Sequence, residues 1–396
     1  MREKNSNWEG RNVRPSGAEA ESPSTVVLAR KIPEAIRLLL CVRAGGRCEF
    51  DGHNAYLFEH PITLHEGNFG EMAHIVAFKK AGPRGEENRP DDINNVDNLM
   101  LLCATCHKLV DDHASEYPRE RLEGYKREHE DRIAHLTSLG SDRKTSVIVF
   151  KAPIAGQTVA VPFDHIVEAT FPRYPKTRAP LTIDLTGIAE GAGLTEAACS
   201  TIAKRIDPLF DPEGEAAQVG HVSIFALGPI PLLICLGRHL TSKVPTDVFQ
   251  RHRDNERWTW KAEGPDLSFR HAMIQKGDPQ RVAVVVSLSG SIGLVDLPAD
   301  VRDTATIYEL TLEGIPPSPT FLRRRQDLEA FRVAYQELLG TIGQQHGRLD
   351  EIDFFPAVPA PVAILCGREL LPKVHPKLRV FDFNKQTGSF TFQLTV

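Results

Sequence analysis

Two short stretches decide the fold of the first part of this chain: residues 70–75 read GEMAHI, and residues 97–107 read DNLMLLCATCH. The first predicts a short strand, because its side chains can alternate between a core face and an outer face. The second predicts a strand that runs into a Cys-x-x-Cys turn, where two thiolates come within reach of one metal ion. A helix then begins at His107 and carries Asp111 one turn later on the same face.

Length and composition limit the class of protein. The chain has 396 residues, a net charge of -5, 41% hydrophobic residues and 25% charged residues. This length predicts two or three domains, and the composition is typical of a globular protein. The net charge does not indicate nucleic-acid binding, but a local basic loop is sufficient for phosphate contact. Such a loop follows the first strand, and it either contacts DNA or is a solvated surface; it contains Lys79, Lys80, Arg84 and Arg89.

The cysteines fall into two groups. Three of the seven lie near the Cys-x-x-Cys turn or in a second knuckle upstream, and the other four are in apolar or helical surroundings typical of small core residues. These four are Cys41, Cys199, Cys235 and Cys366. No disulfide framework is indicated, and the first residues lack an apolar leader, so we expect a cytoplasmic protein. No apolar run approaches the length of a membrane span.

The chain divides by composition into a tail and two folded regions. Residues 1–24 are rich in polar and charged residues and predict a disordered tail. Residues 25–140 contain both motifs and end after a helix that Pro118 opens. Residues 145–396 alternate apolar strands with helical segments, which predicts an α/β region.

The α/β region contains an internal repeat. The segment PLLICLGRHL from Pro231 matches PVAILCGREL from Pro361 at an offset of 130 residues. The repeat predicts two related lobes, at about 145–265 and 266–396, that form a pseudo-dimer. A shorter match, LTG with LSG at residues 288–290, has a different offset and predicts that the strand 306–312 is an insertion in the second lobe.

Several residues of the α/β region could contact an anionic ligand. The strand VVVSL ends in a small Ser-Gly-Ser turn that can approach a phosphate, although it could equally be a plain strand-to-helix turn. Two tryptophans share a strand face and could stack on a base, with core packing as the alternative. An arginine run could bind anions or be solvated. The candidate ligand contacts are Ser289, Gly290, Ser291, Trp258, Trp260 and Arg324.

The order of the motifs resembles that of a known family. A strand with His74, then Asn98-Leu99, then Cys-x-x-Cys-His resembles the HNH endonucleases of the ββα-metal fold. With the duplicated α/β region, the chain resembles the HNH–SAVED effectors of the CBASS anti-phage systems. This resemblance implies an α+β HNH domain followed by an α/β SAVED domain made of two CARF-like, Rossmann-like lobes.

The resemblance also implies roles in catalysis. His74 corresponds to the general base that takes a proton from the attacking water. Asn98 corresponds to the residue that fixes the loop between the two strands and helps orient the base. His107 corresponds to a ligand of a catalytic divalent ion, Mg²⁺ or a similar metal, which stabilises charge at the cleaved phosphate.

Two metal sites are implied. Many relatives have a second ligand of the catalytic ion just before the base, where this chain has Ala73. Glu71 and Asp111 are the candidate substitutes, with solvated carboxylates as the alternative. The other site is a structural Zn²⁺ site of three thiolates and one imidazole. Its predicted ligands are Cys48, His53, Cys103 and Cys106.

The function implied by the resemblance is a metal-dependent endonuclease for double-stranded DNA that acts in abortive infection. Its activator would be a cyclic di- or oligonucleotide from a partner synthase, and activation would involve a homo-oligomer, a dimer or tetramer, without a membrane. One alternative is a restriction-like HNH endonuclease whose C-terminal region recognises DNA sequence or modification. Another is a non-catalytic zinc regulator that binds nucleic acid. The presence of His74, Asn98 and His107 together argues against the regulator, because zinc binding needs none of them.

Overall fold

The computed structural model divides into two compact units, of which the first ends at Ser138 and the second begins at Leu139. The structure describes residues 31–85, 89–154, 156–157, 160–187, 194–385 and 387–396. The tail predicted over residues 1–24 lies outside the described residues. None of the described helices is both long enough and apolar enough to cross a bilayer.

The first unit packs helices around a two-stranded sheet. Its elements are α1 (Glu34–Arg43), β1 (Gly70–His74), β2 (Leu99–Cys103), α2 (Ala104–Asp112) and α3 (Arg119–Thr137). The two strands pair antiparallel, so that Gly70 lies opposite Cys103 and His74 lies opposite Leu99. The apolar run of β2 is buried, and α1 and α2 both pack against this strand. The pairing therefore sets the start of β1 beside the Cys-x-x-Cys turn and its end beside the loop that precedes β2.

The first lobe of the second unit is a parallel sheet. Its strands are β3 (Lys144–Lys151), β4 (Tyr174–Pro175), β5 (Leu181–Asp184), β6 (Val222–Leu227) and β7 (Thr246–Phe249). Its helices are α4 (Phe163–Thr170), α5 (Leu194–Ile206), α6 (Glu215–Val219) and α7 (Ile230–Arg238). β3 pairs with β4, β5 and β6, and β6 pairs with β7. The central strands are continuous apolar runs because helical crossovers cover both faces of a parallel sheet.

The second lobe is a larger, mixed sheet with the order β13-β12-β11-β9-β10-β8. Its strands are β8 (Phe269–Gln275), β9 (Asp278–Ser287), β10 (Ala305–Leu312), β11 (Glu351–Ala357), β12 (Lys377–Asn384) and β13 (Ser389–Thr395). Its helices are α8 (Ala299–Thr304), α9 (Arg325–His346) and α10 (Ala360–Arg368). The four inner strands are parallel, and the edge strands β8 and β13 pair antiparallel with their neighbours.

The repeated segments lie at the contact between the lobes. They are the helices α7 and α10, which pack against each other. A Cβ atom added to Gly237 would lie 1.9 Å from the carbonyl oxygen of Ile364, and one added to Gly367 would lie 1.9 Å from that of Ile234. Only glycine permits this approach of two backbones, and the same glycine serves in both copies of the repeat.

The predicted insertion is wrong. β10 pairs in parallel with β9 in the same way that β5 pairs in parallel with β3. The strand at residues 306–312 is therefore the counterpart of β5. The short sequence match aligned LTG at the end of β5 with LSG at the end of β9, but these two strands are not equivalent in the two lobes.

Two of the cysteines expected as unpaired core residues are joined. Cys199 of α5 and Cys235 of α7 form a disulfide, with their Cα atoms 6.1 Å apart. The sequence could not reveal this pairing, because it depends on the packing of α5 against α7. Cys366, at the repeat position in α10, is a buried free thiol.

Candidate functional site

Four predicted metal ligands meet in the first unit. The ligand atoms of Cys48, His53, Cys103 and Cys106 all lie within 4.8 Å of one another. Nδ1 of His53 lies 3.6 Å from Sγ of Cys103 and 3.4 Å from Sγ of Cys106. The structure thus brings together residues from an upstream knuckle and from the start of α2, which are about fifty positions apart in the chain.

The cluster fits a tetrahedral zinc ion. Nitrogen and sulfur atoms bound to zinc at about 2.0–2.3 Å lie about 3.3–3.8 Å from one another, and the His53–cysteine distances fall in that range. Burial, followed by hydrogen bonding to the Cys103 thiol, raises the pKa of Cys106. Burial likewise raises the pKa of Cys48. A bound cation removes this cost, because a coordinating thiol is deprotonated by its metal.

Backbone contacts fix the shape of the knuckles. Sγ of Cys48 accepts a hydrogen bond from the amide of Cys103 at 3.4 Å, and Sγ of Cys103 accepts one from the amide of Cys106 at 3.4 Å. The adjacent Glu49 is buried and accepts a hydrogen bond from the amide of Leu101 at 2.6 Å. Burial raises the pKa of Glu49 to about 7. The upstream knuckle is therefore attached to β2 at its metal ligand Cys48 and at the next residue, Glu49.

The predicted base, His74, is held by a residue that the sequence analysis missed. Nε2 of His74 lies 3.0 Å from Oδ1 of Asn94, and the ring of Phe78 contacts the imidazole edge to face at 6.0 Å between ring centroids. Because the amide oxygen accepts, Nε2 carries the proton, and a neutral His74 presents Nδ1 as its unprotonated nitrogen. This tautomer leaves Nδ1 with the lone pair that a general base uses.

Asn98 clamps the loop between the two strands. Its side-chain oxygen accepts a hydrogen bond from the amide of Val76 at 2.9 Å, and its side-chain nitrogen donates to the carbonyls of Val76 at 3.1 Å and Ile93 at 2.9 Å. These contacts match the loop-fixing role that was expected. Within the described part of the chain, Asn98 makes no hydrogen bond to His74, but it donates to the carbonyl of Ile93, next to the Asn94 that contacts the base. A role of Asn98 in orienting the base stays a prediction.

His107 lies between two carboxylates. Its Nδ1 is 2.7 Å from Oε2 of Glu71, and its Nε2 is 3.4 Å from Oδ2 of Asp111. Hydrogen bonding to Asp111, and then to Glu71, raises the pKa of His107 against the effect of burial. The carboxylates face opposite nitrogens, so only one of them can share an ion with the ring in this orientation. The other can accept the remaining N–H, as is usual for metal-binding histidines.

Arg84 distinguishes the two carboxylates. It is buried, donates to the carbonyls of Ile75 at 2.7 Å and Val110 at 2.9 Å, and forms an ion pair with Asp111 at 3.0 Å. Burial alone would raise the pKa of Asp111, but the contacts with His107 and Arg84 lower it overall. Glu71, by contrast, is exposed on its strand. Asp111 is thus suited to orient the ring, and Glu71 is suited to bind an ion.

The basic loop differs from its expected form. Arg84 is buried as described, and Arg89 donates to the carbonyl of Ala77 at 2.9 Å and to that of Phe78. These two guanidinium groups stabilise the loop that follows the base, because they satisfy backbone carbonyls. The prediction that Arg84 contacts DNA is therefore wrong. Lys79 and Lys80 remain exposed.

Two predicted ligand contacts of the second unit are wrong. Trp258 is 1% exposed and packs edge to face on Phe225 at 5.3 Å, so no base can stack on it. Arg324 is 7% exposed and is engaged by Asp327, at 2.6 Å, and by Asp266, at 2.9 Å. Trp258 is buried by packing against the distant Phe225. Arg324 is held at the start of α9 by the nearby Asp327 and by the distant Asp266.

The remaining ligand candidates lie at the surface or near it. Trp260 is half-buried and contacts His252 edge to face at 6.1 Å. In the Ser-Gly-Ser turn, the amide of Ser289 donates to the carbonyl of Ala357 at 2.7 Å. A Cβ atom added to Gly290 would meet nothing within 4 Å, and Ser291 is exposed. Ligand contact by this turn stays a prediction.

Comparison with protein families assigns both units. Residues 48–114 match a family described as HNH endonuclease. Residues 202–396 match SAVED, described as a SMODS-associated sensor domain fused to various effectors. The two matches cover the metal cluster and the base in the first unit, and the latter part of the first lobe with all of the second lobe in the second unit. No curated protein matches the chain.

Solved structures give weaker similarities. The Acinetobacter baumannii Cap4 SAVED/CARF-domain containing receptor, solved with the cyclic trinucleotide 3'3'3'-cAAA, is 12% identical with a TM-score of 0.43. The match covers 77% of this chain and 64% of that receptor. The Moraxella osloensis Cap4 receptor is 11% identical with a TM-score of 0.40, over 78% of this chain and 71% of the receptor. This chain thus spans 64% of the length of the Acinetobacter baumannii receptor.

Proposed function

Since this chain joins an HNH endonuclease domain to a SAVED sensor domain, we propose that it is a double-stranded DNA endonuclease that a cyclic oligonucleotide switches on. The observation that carries the proposal is the combination in one chain of a match to an HNH endonuclease and a match to a sensor domain. We further propose that it acts in the cytoplasm as an effector of a CBASS anti-phage system, where unrestrained cleavage would destroy the host genome.

The chemistry proposed for the first unit begins at His74. Nδ1 of His74 takes the proton from a water molecule that attacks the phosphorus atom. Asn94 accepts the Nε2–H of the ring and so fixes both its tautomer and its orientation. The contact at 3.0 Å between these side chains supports this role.

A divalent ion, Mg²⁺ or a similar metal, is proposed at Nδ1 of His107 together with Glu71. When bound, such an ion stabilises the charge that develops on the phosphate and on the leaving oxygen. Asp111 accepts the proton on the other ring nitrogen of His107, and Arg84 holds Asp111. The zinc cluster shapes the knuckles that carry these residues and takes no part in proton transfer.

Gating requires that the ligand distinguish two states of the protein. A ligand that bound the resting and active forms equally would not shift the equilibrium between them. A hundredfold preference for the active form corresponds to a difference of about 2.7 kcal/mol in binding free energy. We propose that the active form is a homo-oligomer, a dimer or tetramer, assembled through the second unit. Cyclic oligonucleotides carry several phosphates and bases, so one ligand can contact several segments of a sensor.

The experiment is digestion of supercoiled plasmid with Mg²⁺ in the presence and absence of 3'3'-cyclic di-AMP, 3'3'-cyclic di-GMP and 3'3'3'-cyclic tri-AMP. We expect cleavage with at least one of these ligands and none without. His74→Ala protein, checked for unchanged zinc content and melting, is the matched control and should stay inactive throughout. Ligand-independent cleavage at the full rate would instead support a restriction-like enzyme.

A further inference from the structure

A polar cavity in the second unit has features of a ligand site that the sequence analysis did not identify. Its volume is about 220 Å³, and it is lined by the segment that follows β7, by Lys261, and by the segment that precedes α9. The volume is below the about 300–1,000 Å³ of complete small-molecule sites, so it can hold one part of a larger ligand. The polar lining residues are Gln250, His252, Arg253, Asp254, Lys261 and Arg323.

Two hydrogen-bond acceptors in this cavity have no partner. Oε1 of Gln250 and Nε2 of His252 are buried, and neither makes a hydrogen bond within the described part of the chain. His252 is 5% exposed, and the amide nitrogen of Gln250 already donates to the carbonyl of Arg251 at 2.6 Å. Buried polar atoms are nearly always satisfied, and an unsatisfied one needs an explanation. A ligand that donates two hydrogen bonds would provide it.

The protonation of His252 makes its free nitrogen an acceptor. Burial first, and then the charge of Lys261, lower the pKa of His252, so the ring is neutral at pH 7. Nε2 has no hydrogen-bond partner among the described residues, and the unprotonated nitrogen of a neutral imidazole accepts hydrogen bonds through its lone pair.

Cationic side chains surround these acceptors. Lys261 pairs with Asp254. Arg253 and Arg323 are exposed at the cavity, and no described residue forms an ion pair or hydrogen bond with either guanidinium. The cavity therefore has three cationic groups against one carboxylate, with two guanidinium groups available. Guanidinium groups suit phosphate because they donate two parallel hydrogen bonds.

From this arrangement we infer that the cavity binds one nucleotide unit of the activating ligand, with the amino edge of its base at Gln250 and His252 and its phosphate at Arg253 and Arg323. This inference rests on the proposed function and locates the site that controls it. Adenine donates through its exocyclic amino group, whereas the carbonyl of hypoxanthine would place an acceptor against two acceptors. The site should therefore select an amino-bearing base.

The test is calorimetric titration of the full chain with 3'3'3'-cyclic tri-AMP, 3'3'-cyclic di-AMP and 3'3'-cyclic di-GMP, alongside the plasmid digestion. The double variant Arg253→Ala, Arg323→Ala changes only exposed side chains, so its fold should be unaffected. We expect it to weaken binding of the responding ligand at least tenfold and to lose activation at the same ligand concentration. The matched control, Arg270→Ala with Arg348→Ala, removes two exposed arginines that do not line the cavity and should behave as wild type.

His252→Leu removes the buried acceptor and supplies a second test. It should also weaken binding at least tenfold, with melting checked separately, and the inosine analogue of the responding ligand should bind the wild-type protein at least tenfold more weakly than the adenosine form. If a cyclic nucleotide activates the wild type and the arginine double variant responds equally, the cavity is not the site although the proposed function stands. If no ligand of the panel binds or activates the wild type, both proposals are overturned.

Discussion

Nε2 of His74 lies 3.0 Å from Oδ1 of Asn94, twenty residues further along the chain. The contact determines which ring nitrogen can accept a proton, and it comes from the loop that Asn98 clamps at Val76 and Ile93. A base with a fixed tautomer is more effective than one that must also select its orientation. The loop between β1 and β2 is therefore part of the proposed catalytic apparatus.

Asn94→Ala should lower kcat at least tenfold. This is a part of the about 10²- to 10⁴-fold acceleration that a positioned general base supplies. KM for DNA and zinc content should not change, because the contact of Asn94 with His74 lies outside the cluster of Cys48, His53, Cys103 and Cys106. Steady-state kinetics on a short duplex measures both constants. Asn95→Ala, in the same loop but exposed, is the control. An unchanged kcat would show that Asn94 does not position the base.

Glu71 and Asp111 should respond differently to substitution. Glu71→Gln removes a proposed metal ligand and should raise the Mg²⁺ concentration for half-maximal cleavage at least about tenfold. Asp111→Asn keeps an oxygen that can accept the other N–H of His107, so it should raise this Mg²⁺ concentration less. Titration of activated cleavage with Mg²⁺ gives the numbers, with Asp112→Asn as the neighbouring control. A larger effect from Asp111 than from Glu71 would reverse the assignment.

Loss of the zinc cluster should unfold the first unit. Cys106→Ser removes a ligand from a small domain, and metal binding supplies much of the folding free energy in such domains. Metal analysis should find about one zinc ion per wild-type chain and less than that in the variant. Cys41→Ser, outside the cluster, should keep its zinc. A zinc-free variant with normal melting would refute a structural role.

The crossing of α7 and α10 gives a stability prediction for the second unit. Gly237→Ala places a Cβ atom 1.9 Å from the Ile364 carbonyl oxygen, and such overpacking costs about 1–3 kcal/mol. Calorimetry of the full chain should show a lower Tm for the transition of this unit. Gly340→Ala in α9, where an added Cβ meets nothing within 4 Å, should be neutral or stabilising. Equal effects of the two substitutions would argue against a tight helix crossing.

Local spacing predicted the cluster of metal ligands and the pairing of the two short strands. The Cys-x-x-Cys turn places two ligands on one ion, and the antiparallel pairing of β1 with β2 follows from two short apolar strands joined by a loop. Asn94 was not predicted, because a polar residue in a polar loop carries no local signal. Its contact with His74 exists only once the loop has folded back.

The ligand region of the second unit was predicted less well, for a different reason. Trp258 and Arg324 have the chemistry of ligand contacts, but packing against Phe225 and capping of α9 bury them. The burial of a side chain depends on residues far away in sequence. The same applies to Gln250 and His252, whose unpaired acceptors become visible only when every neighbouring donor has been placed.

The central claim is that a cyclic oligonucleotide controls cleavage at His74. The most direct measurement is the initial rate of double-stranded DNA cleavage by the full chain at saturating Mg²⁺, with and without the responding ligand, while light scattering follows the same samples. We predict at least a hundredfold higher rate with ligand, a larger particle in those samples only, and no cleavage by His74→Ala in either condition. Equal rates with and without every ligand of the panel, or ligand-dependent cleavage that persists in His74→Ala, would contradict the account.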